Sequence, residues 1–202
     1  MLTTANYKQI TTPNEEPLTA EEAKTQARID LSDDDNYVDS LIQIARDHVE
    51  RVTNFRLITQ TWDFYFDDFP DDDDDHIRIP LAPLQSVTYI KYVDTNGTTQ
   101  TWDSDDYVVQ TGYEPGRIVL AYNEDWPTPR DQFETVTVRA VLGFGDDGAD
   151  VPSYIKHAIL LYVAAWYDYR ALVLDQSRGN VQVLPRVVAA EALLGAERIR
   201  AV

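Results

Sequence analysis

From Ser32 to Asn54 the apolar residues Val38, Leu41, Ile42, Ala45, Val49 and Val52 recur at intervals of three and four. That spacing gathers them on one stripe of an amphipathic α-helix. Asp33, Asp34 and Asp35 stand in its first turn, where negative charge opposes the helix dipole, and Asn54 is a left-handed stop. Ahead of it, LTAEE offers Thr19 as N-cap with Glu22 three residues on, a capping box, and Ala20, Ala23 and Ala27 form a small apolar face. Residues 1–57 therefore read as N-terminal helices.

The period then changes to two. In TQTWDFYFDDF, Trp62, Phe64 and Phe66 alternate with Thr61, Asp63 and Tyr65, as a strand requires. IRIP, SVTYIKYVD, TTQTW, YVVQ, GRIVLAY and TVTVRAVLGF are similarly short and rich in β-branched and aromatic residues. Asn96-Gly97 and Pro115-Gly116 supply turns between them. Residues 58–144 read as an antiparallel β module of about six strands.

After GFGDDGADVP the helical period returns. Asp150 and Pro152 suit a helix start, and Ile155, Ile159, Tyr162, Trp166 and Tyr169 form one stripe. Ala158, Leu161, Ala165 and Leu172 form a second, so this helix needs cover on two sides, from its own domain and from a neighbouring subunit. LDQSRGNVQV reads as a loop and Pro185 opens a last helix ending near Arg198 and Arg200. The expected fold is α+β: a helical core of about four helices (1–57 and 145–202) with the β module inserted.

Composition narrows the chemistry. The 202 residues contain no cysteine, which excludes disulfides, thiolate metal sites and cysteine nucleophiles. No signal peptide is visible at the N-terminus, and the most apolar run, Ala158–Tyr167, is ten residues against the roughly 18 to 20 of a membrane span. The expectation is a soluble protein with no membrane contact. Net charge is −18, and residues 63–150 carry 20 acidic against 5 basic groups, whereas 151–202 carry 4 against 6. Such a field repels phosphate, so specific DNA binding is not expected.

The densest carboxylates, Asp71–Asp75 beside His76, invite a metal reading. Calcium loops need alternating ligands, a glycine turn and a distal bidentate glutamate, and adjacent aspartates point different ways. A hydrated loop fits better, because like charges so close repel. Asp94–Gly97 has part of a calcium-loop pattern but is explained by a hairpin turn. Gly143–Gly148 lacks the phosphate-binding lysine and the dinucleotide spacing. His48, His76 and His157 form no HExxH pair, and GxSxG is absent. The reading carries no catalytic residue, no metal and no cofactor. Trp62, Phe64, Phe66, Trp102, Trp126 and Trp166 read first as core, with a glycan platform as the alternative.

The order of these motifs resembles a known family. PLTAEEAKTQARID, then DDDNYVDSLIQIARDHVERVTNFRLITQTWDFYFDDFP, IRIPLAPLQSVTYIKYVDTNGTTQTWDSDDYVV, PGRIVLAYNEDWP and TVTVRAVLGFGDDGADVPSYIKHAILLYVAAWYDYR follow one another as in phage head–tail connectors, the gp6-like and gp8-like head-completion adaptors. The resemblance covers roughly residues 17–172. It implies a non-enzymatic virion protein of the neck, assembled in the host cytoplasm, forming a homo-oligomeric ring of typically twelve copies. The ring would join the capsid portal to a tail or nozzle protein and let DNA pass through its channel. It further implies that Val181–Val202 docks on the portal, with Arg186, Leu193, Leu194, Arg198 and Arg200 as candidates. Ile155, Ile159, Tyr162, Trp166 and Tyr169 are the candidate subunit interface. A tail-side stopper, or an acidic calcium- or glycan-binding module, are the alternatives.

Overall fold

The computed structural model of the chain describes residues 6–29, 34–70, 76–168 and 185–195. Among them are four α-helices and eight strands, an α+β architecture that divides into two compact units. Residues 6–14 and 58–144 make a β unit, and residues 15–57 and 145–195 make a helical unit.

Five strands of the β unit form one antiparallel sheet in the order β1 (Asn6–Thr11), β2 (Gln60–Phe66), β8 (Val136–Leu142), β4 (Leu84–Val93) and β5 (Thr99–Trp102). Three more, β3 (His76–Arg78), β7 (Arg117–Leu120) and β6 (Tyr107–Gln110), form a second. The alternation read from the sequence is the burial pattern: in β8, Val136, Val138, Ala140 and Leu142 are buried while Thr137, Arg139 and Val141 are not. Register sets Phe64 opposite Val138 and Ile90 opposite Val138 on the other flank, which carries the apolar face across three strands. Phe69 sits in an aromatic cluster with Tyr92, Trp102 and Trp126, ring centroids 5.5–5.7 Å away, and Tyr107 continues it 5.0 Å from Trp102. These aromatics are core or line it, with Phe64 and Phe66 fully buried.

The turns follow their residues. Asn96-Gly97 closes the β4–β5 hairpin, with Gly97 at φ 84° and the Asp94 carboxylate accepting from the Asn96 and Thr98 amides at 2.9 Å. Gly143, at φ 134°, lets β8 end against the Ile58 backbone, where a Cβ would stand 2.7 Å from the carbonyl carbon.

One element departs from the sequence reading. Residues 6–11, grouped there with the N-terminal helices, form β1 and pair with β2. Tyr7 lies 5.7 Å from the Trp62 ring, Gln9 donates to the Gln60 Oε1 at 2.7 Å, and Thr11 accepts from the Thr61 amide at 3.0 Å. The partner strand lies some fifty residues away in sequence, so no local pattern announces the pairing. Among the described residues between 60 and 142 there are seven strands, against the about six expected.

The helical unit contains α1 (Ala20–Ala27), α2 (Asp35–Thr53), α3 (Ser153–Asp168) and α4 (Pro185–Leu194). The Thr19 hydroxyl accepts from the Glu22 amide and the Glu22 carboxylate from the Thr19 amide, so the capping box is formed as read. In α2, Val38, Leu41, Ile42, Ala45 and Val49 are buried, and Asn54 ends it in the left-handed region at φ 62°. Helix α3 begins at Ser153, one residue after Pro152, whose carbonyl accepts from Ile155 and Lys156. Asp150 instead closes the short turn Gly148–Asp150.

Candidate functional site

The stripe proposed for a subunit interface is core. Ile155 and Ile159 are fully buried and Tyr162 is 1% exposed, within a helix that packs against α1, α2 and α4 of the same chain. Of the second stripe, Ala158 and Ala165 are buried and Leu161 is half-buried, while Leu172 lies outside the described residues. Ile155, Ile159 and Tyr162 are therefore covered within the same chain. Trp166 is half-buried beside Tyr162, 5.3 Å between rings, and Tyr169 lies outside the described residues.

The portal-docking set divides similarly. Arg186 reaches back along α3, donating to the Ala164 carbonyl at 3.2 Å and pairing with Asp168. Leu194 is fully buried and Leu193 half-buried, while Arg198 and Arg200 lie outside the described residues. Ala190 and Leu194, four apart, form the buried face of α4. Leu194, a portal-docking candidate from the resemblance, is thus on the face that packs within the chain, where α4 meets α3.

Where α2 meets the segment leading to β2, a charged cluster is buried that sequence reasoning missed. Arg46 (6% exposed), Glu50 (7%) and Arg56 (7%) lie together. Glu50 accepts from the Leu57 amide at 2.9 Å, with Arg56 at 3.7 Å and Arg46 at 3.9 Å. Arg46 also donates to Glu16 through Nε at 2.7 Å and Nη2 at 3.2 Å, and Arg56 donates to the Glu50 and Phe55 carbonyls. Burial raises the Glu50 carboxyl above its ordinary value, although the Leu57 amide and both guanidiniums pull the other way. The cluster clamps the chain as it leaves the helix, a structural use of charge.

The histidines are dispersed. His48 meets the Tyr162 ring edge-on at 4.9 Å, and burial, then Arg51, holds its imidazole below the usual value. His76 is in β3, and His157 is exposed on α3. Among the described residues no group of three His, Asp or Glu is placed to hold a metal ion. The Asp71–Asp75 run lies outside them. The Asp94 oxygens are engaged by Gln100 and by the hairpin amides, Gln100 first among the causes holding its carboxyl below the usual range. A cleft beside α1 and the start of α3, about 840 Å³, is lined by Leu18, Thr25, Val151, Lys156, His157 and Leu160 among others, with Lys156 3.6 Å from Glu22. No helix is long and apolar enough to cross a membrane among the described residues.

What remains are surfaces. On the face of the large sheet opposite its core, Arg139 donates to both Asp63 oxygens at 2.7 Å, and Arg139 and Lys91 lie over the Tyr89 ring at 4.9 and 4.4 Å. On the helical unit Ile44 and Val188 are exposed, at 53% and 48%. Ile44 falls outside the α2 stripe, which was a signal available in the sequence. Most exposed are Tyr122 (92%) and Phe133 (85%), both between β7 and β8.

The family model described as phage gp6-like head-tail connector protein matches residues 18–114, so the resemblance read from the motifs holds over that stretch. Comparison with curated proteins gives no match. Among solved structures, the chain is similar to one from the virion of a native gene transfer agent particle, at 19% identity and TM-score 0.77, covering 97% of this chain and 96% of that one. It is similar to a chain from the neck of an empty particle of that kind, computed with C6 symmetry, at 20% identity and TM-score 0.76, covering 98% and 97%. A third likeness is to the neck of the native particle computed with C12 symmetry, at 18% identity and TM-score 0.70, again covering 98% and 97%.

Proposed function

We propose that this chain, a phage gp6-like head-tail connector protein by its match over residues 18–114, forms a twelve-copy ring in the virion neck that joins the capsid portal to the tail and prolongs the DNA channel. The observation that carries the reading is a likeness in fold running through both units, over 98% of the chain, to chains from a particle's neck. The family match over residues 18–114 supports it independently.

Within this reading, portal attachment falls to the C-terminal segment. Leu193 is half-exposed, and Arg198 and Arg200 follow in a mildly basic stretch. Among the described residues of the helical unit, half-buried Trp166 and the exposed Tyr37, Ile44 and Val188 are apolar groups that would meet adjoining subunits, and Tyr169 stays a candidate from the sequence. A ring needs two different patches on each copy, since its contacts are head-to-tail. The acidity of residues 63–150 supports passage of DNA without adhesion, because a wall rich in lysine and arginine would bind phosphate. The assembled ring belongs to the particle, and assembly would take place in the host cytoplasm.

Electron microscopy of the full chain mixed with its portal tests the proposal. The expected image is a ring coaxial with the portal, on the side away from the capsid. A chain that stays monomeric beside the portal, and is missing from purified particles, would overturn it.

A further inference from the structure

We propose that residues 121–135, between β7 and β8, are a docking tip whose Tyr122 and Phe133 insert into apolar pockets, rimmed by lysine and arginine, on the tail-side neighbour. The inference rests on the adaptor reading above and names the surface and the chemistry of one partner.

Four observations converge. First, the segment sorts its aromatic residues: Trp126 stacks on Phe69 in the core cluster, 5.6 Å apart with planes 25° from parallel, while Tyr122 and Phe133 stand 92% and 85% exposed. Second, each exposed ring precedes a non-glycine residue in the left-handed region, Asn123 at φ 66° and Glu134 at φ 55°. Such conformations are uncommon, more so for glutamate than for asparagine, and persist where the surroundings impose them.

Third, the surroundings do impose them. The Ala121 amide donates to the Asp106 carbonyl at 2.9 Å and the Arg130 amide to the Val93 carbonyl at 2.8 Å. The Glu134 amide donates to Asp67 Oδ1 at 2.8 Å, and the Thr135 hydroxyl to the Asp67 carbonyl at 2.5 Å. The segment is held at both ends and near its middle, so the aromatic rings are presented on a pre-ordered frame. Anchors of this kind carry most of the energy of an interface and lose little entropy on binding.

Fourth, charge selects the partner. Residues 121–135 carry Glu124, Asp125, Asp131 and Glu134 against the single cation Arg130. Nucleic acid is repelled, and so is the equally acidic β unit of a second copy. A complementary surface must be basic around its apolar pockets. Because the basic C-terminal segment is the part proposed for the portal, the acidic tip is assigned to the remaining partner of the adaptor reading, the tail-side protein.

The test uses full-length chain, DNA-filled heads from cells lacking it, and purified tails carrying their neck protein, with joining followed by sedimentation. The double variant Tyr122→Ala/Phe133→Ala should melt like the wild type and bind heads equally, but join tails at least about tenfold more weakly. The variant Glu124→Lys/Asp125→Lys/Asp131→Lys should also lose tail joining, and wild-type joining should weaken as salt rises from about 50 to about 200 mM. If both variants join tails as well as wild type does, the inference falls and the adaptor reading stands. Loss of head binding with tail joining intact would overturn the tail-side assignment. A wild-type chain that joins heads to nothing would instead remove the adaptor reading itself.

Discussion

Glu50 shows how a single carboxylate is used structurally. It sits in the last turn of α2, where the helix dipole disfavours an anion, and is 7% exposed, yet it receives the Leu57 amide and lies near two guanidiniums. Desolvation prevails, so its folded-state value lies above the ordinary glutamate value of about 4.3. The stability it contributes is therefore full below that ordinary value and is lost as pH rises through the raised one. Glu50→Gln keeps an acceptor for Leu57 and does not titrate, so its melting temperature relative to wild type should climb as pH rises above the ordinary glutamate value and through the raised one. Calorimetry across that range would show a flat difference if the shift were absent. Glu50→Ala strands Arg46, Arg56 and the Leu57 amide, and should cost about 3–5 kcal/mol in urea unfolding. Nothing in the sequence separated Glu50 from the other acids, because its burial comes from the chain folding back at Phe55–Leu57.

At the scale of elements, α3 and α4 carry the main lesson. The two-faced α3 demanded cover on both sides, and the amphipathic reasoning was sound up to that point. The cover on the far side is α4, tied by Arg186 to Ala164 and Asp168 and buried through Ala190 and Leu194. Leu194→Ala should accordingly cost about 2–5 kcal/mol, whereas half-exposed Leu193→Ala should cost under about 1.5 kcal/mol; equal costs in chemical denaturation would contradict this packing. Removing residues 181–202 would strip α4 from the unit and destabilise it, so portal docking is better probed by ending the chain after Gly195. That shortened chain should melt like the full one and bind the portal more weakly in a pull-down. Strand β1 is the other element-scale case. Without residues 1–11 the β2 edge is left unpaired, and the expected outcome is a lower melting temperature with aggregation visible by light scattering.

For the whole molecule, charge dominates. Net −18 on 202 residues, with 20 acidic against 5 basic groups in residues 63–150, makes self-repulsion a general cost of the compact state. Raising ionic strength from about 10 to about 150 mM shortens the screening length to roughly 8 Å and should raise the melting temperature. Replacing Asp71–Asp75 with serine removes five of these carboxylates and should narrow that salt dependence while leaving the fold intact. An unchanged salt slope in calorimetry would show that the run does not contribute.

The sequence by itself determined whatever depends on near neighbours: the Thr19–Glu22 box, the α2 stripe, the Asn54 stop, the period-two strands and the Asn96-Gly97 turn. In each, the interacting groups lie within a few residues, so composition and spacing are sufficient physics. The motif order was equally legible and carried the connector resemblance. Tertiary structure alone decided which face meets what. It gave β1 to a sheet whose strand β2 is some fifty residues away, covered Ile155, Ile159 and Tyr162 of α3 within the same chain, buried Glu50, and left Tyr122 and Phe133 in solvent while packing Trp126 against the core. An apolar stripe states that it must be buried; only the path of the rest of the chain determines whether that burial occurs within one subunit.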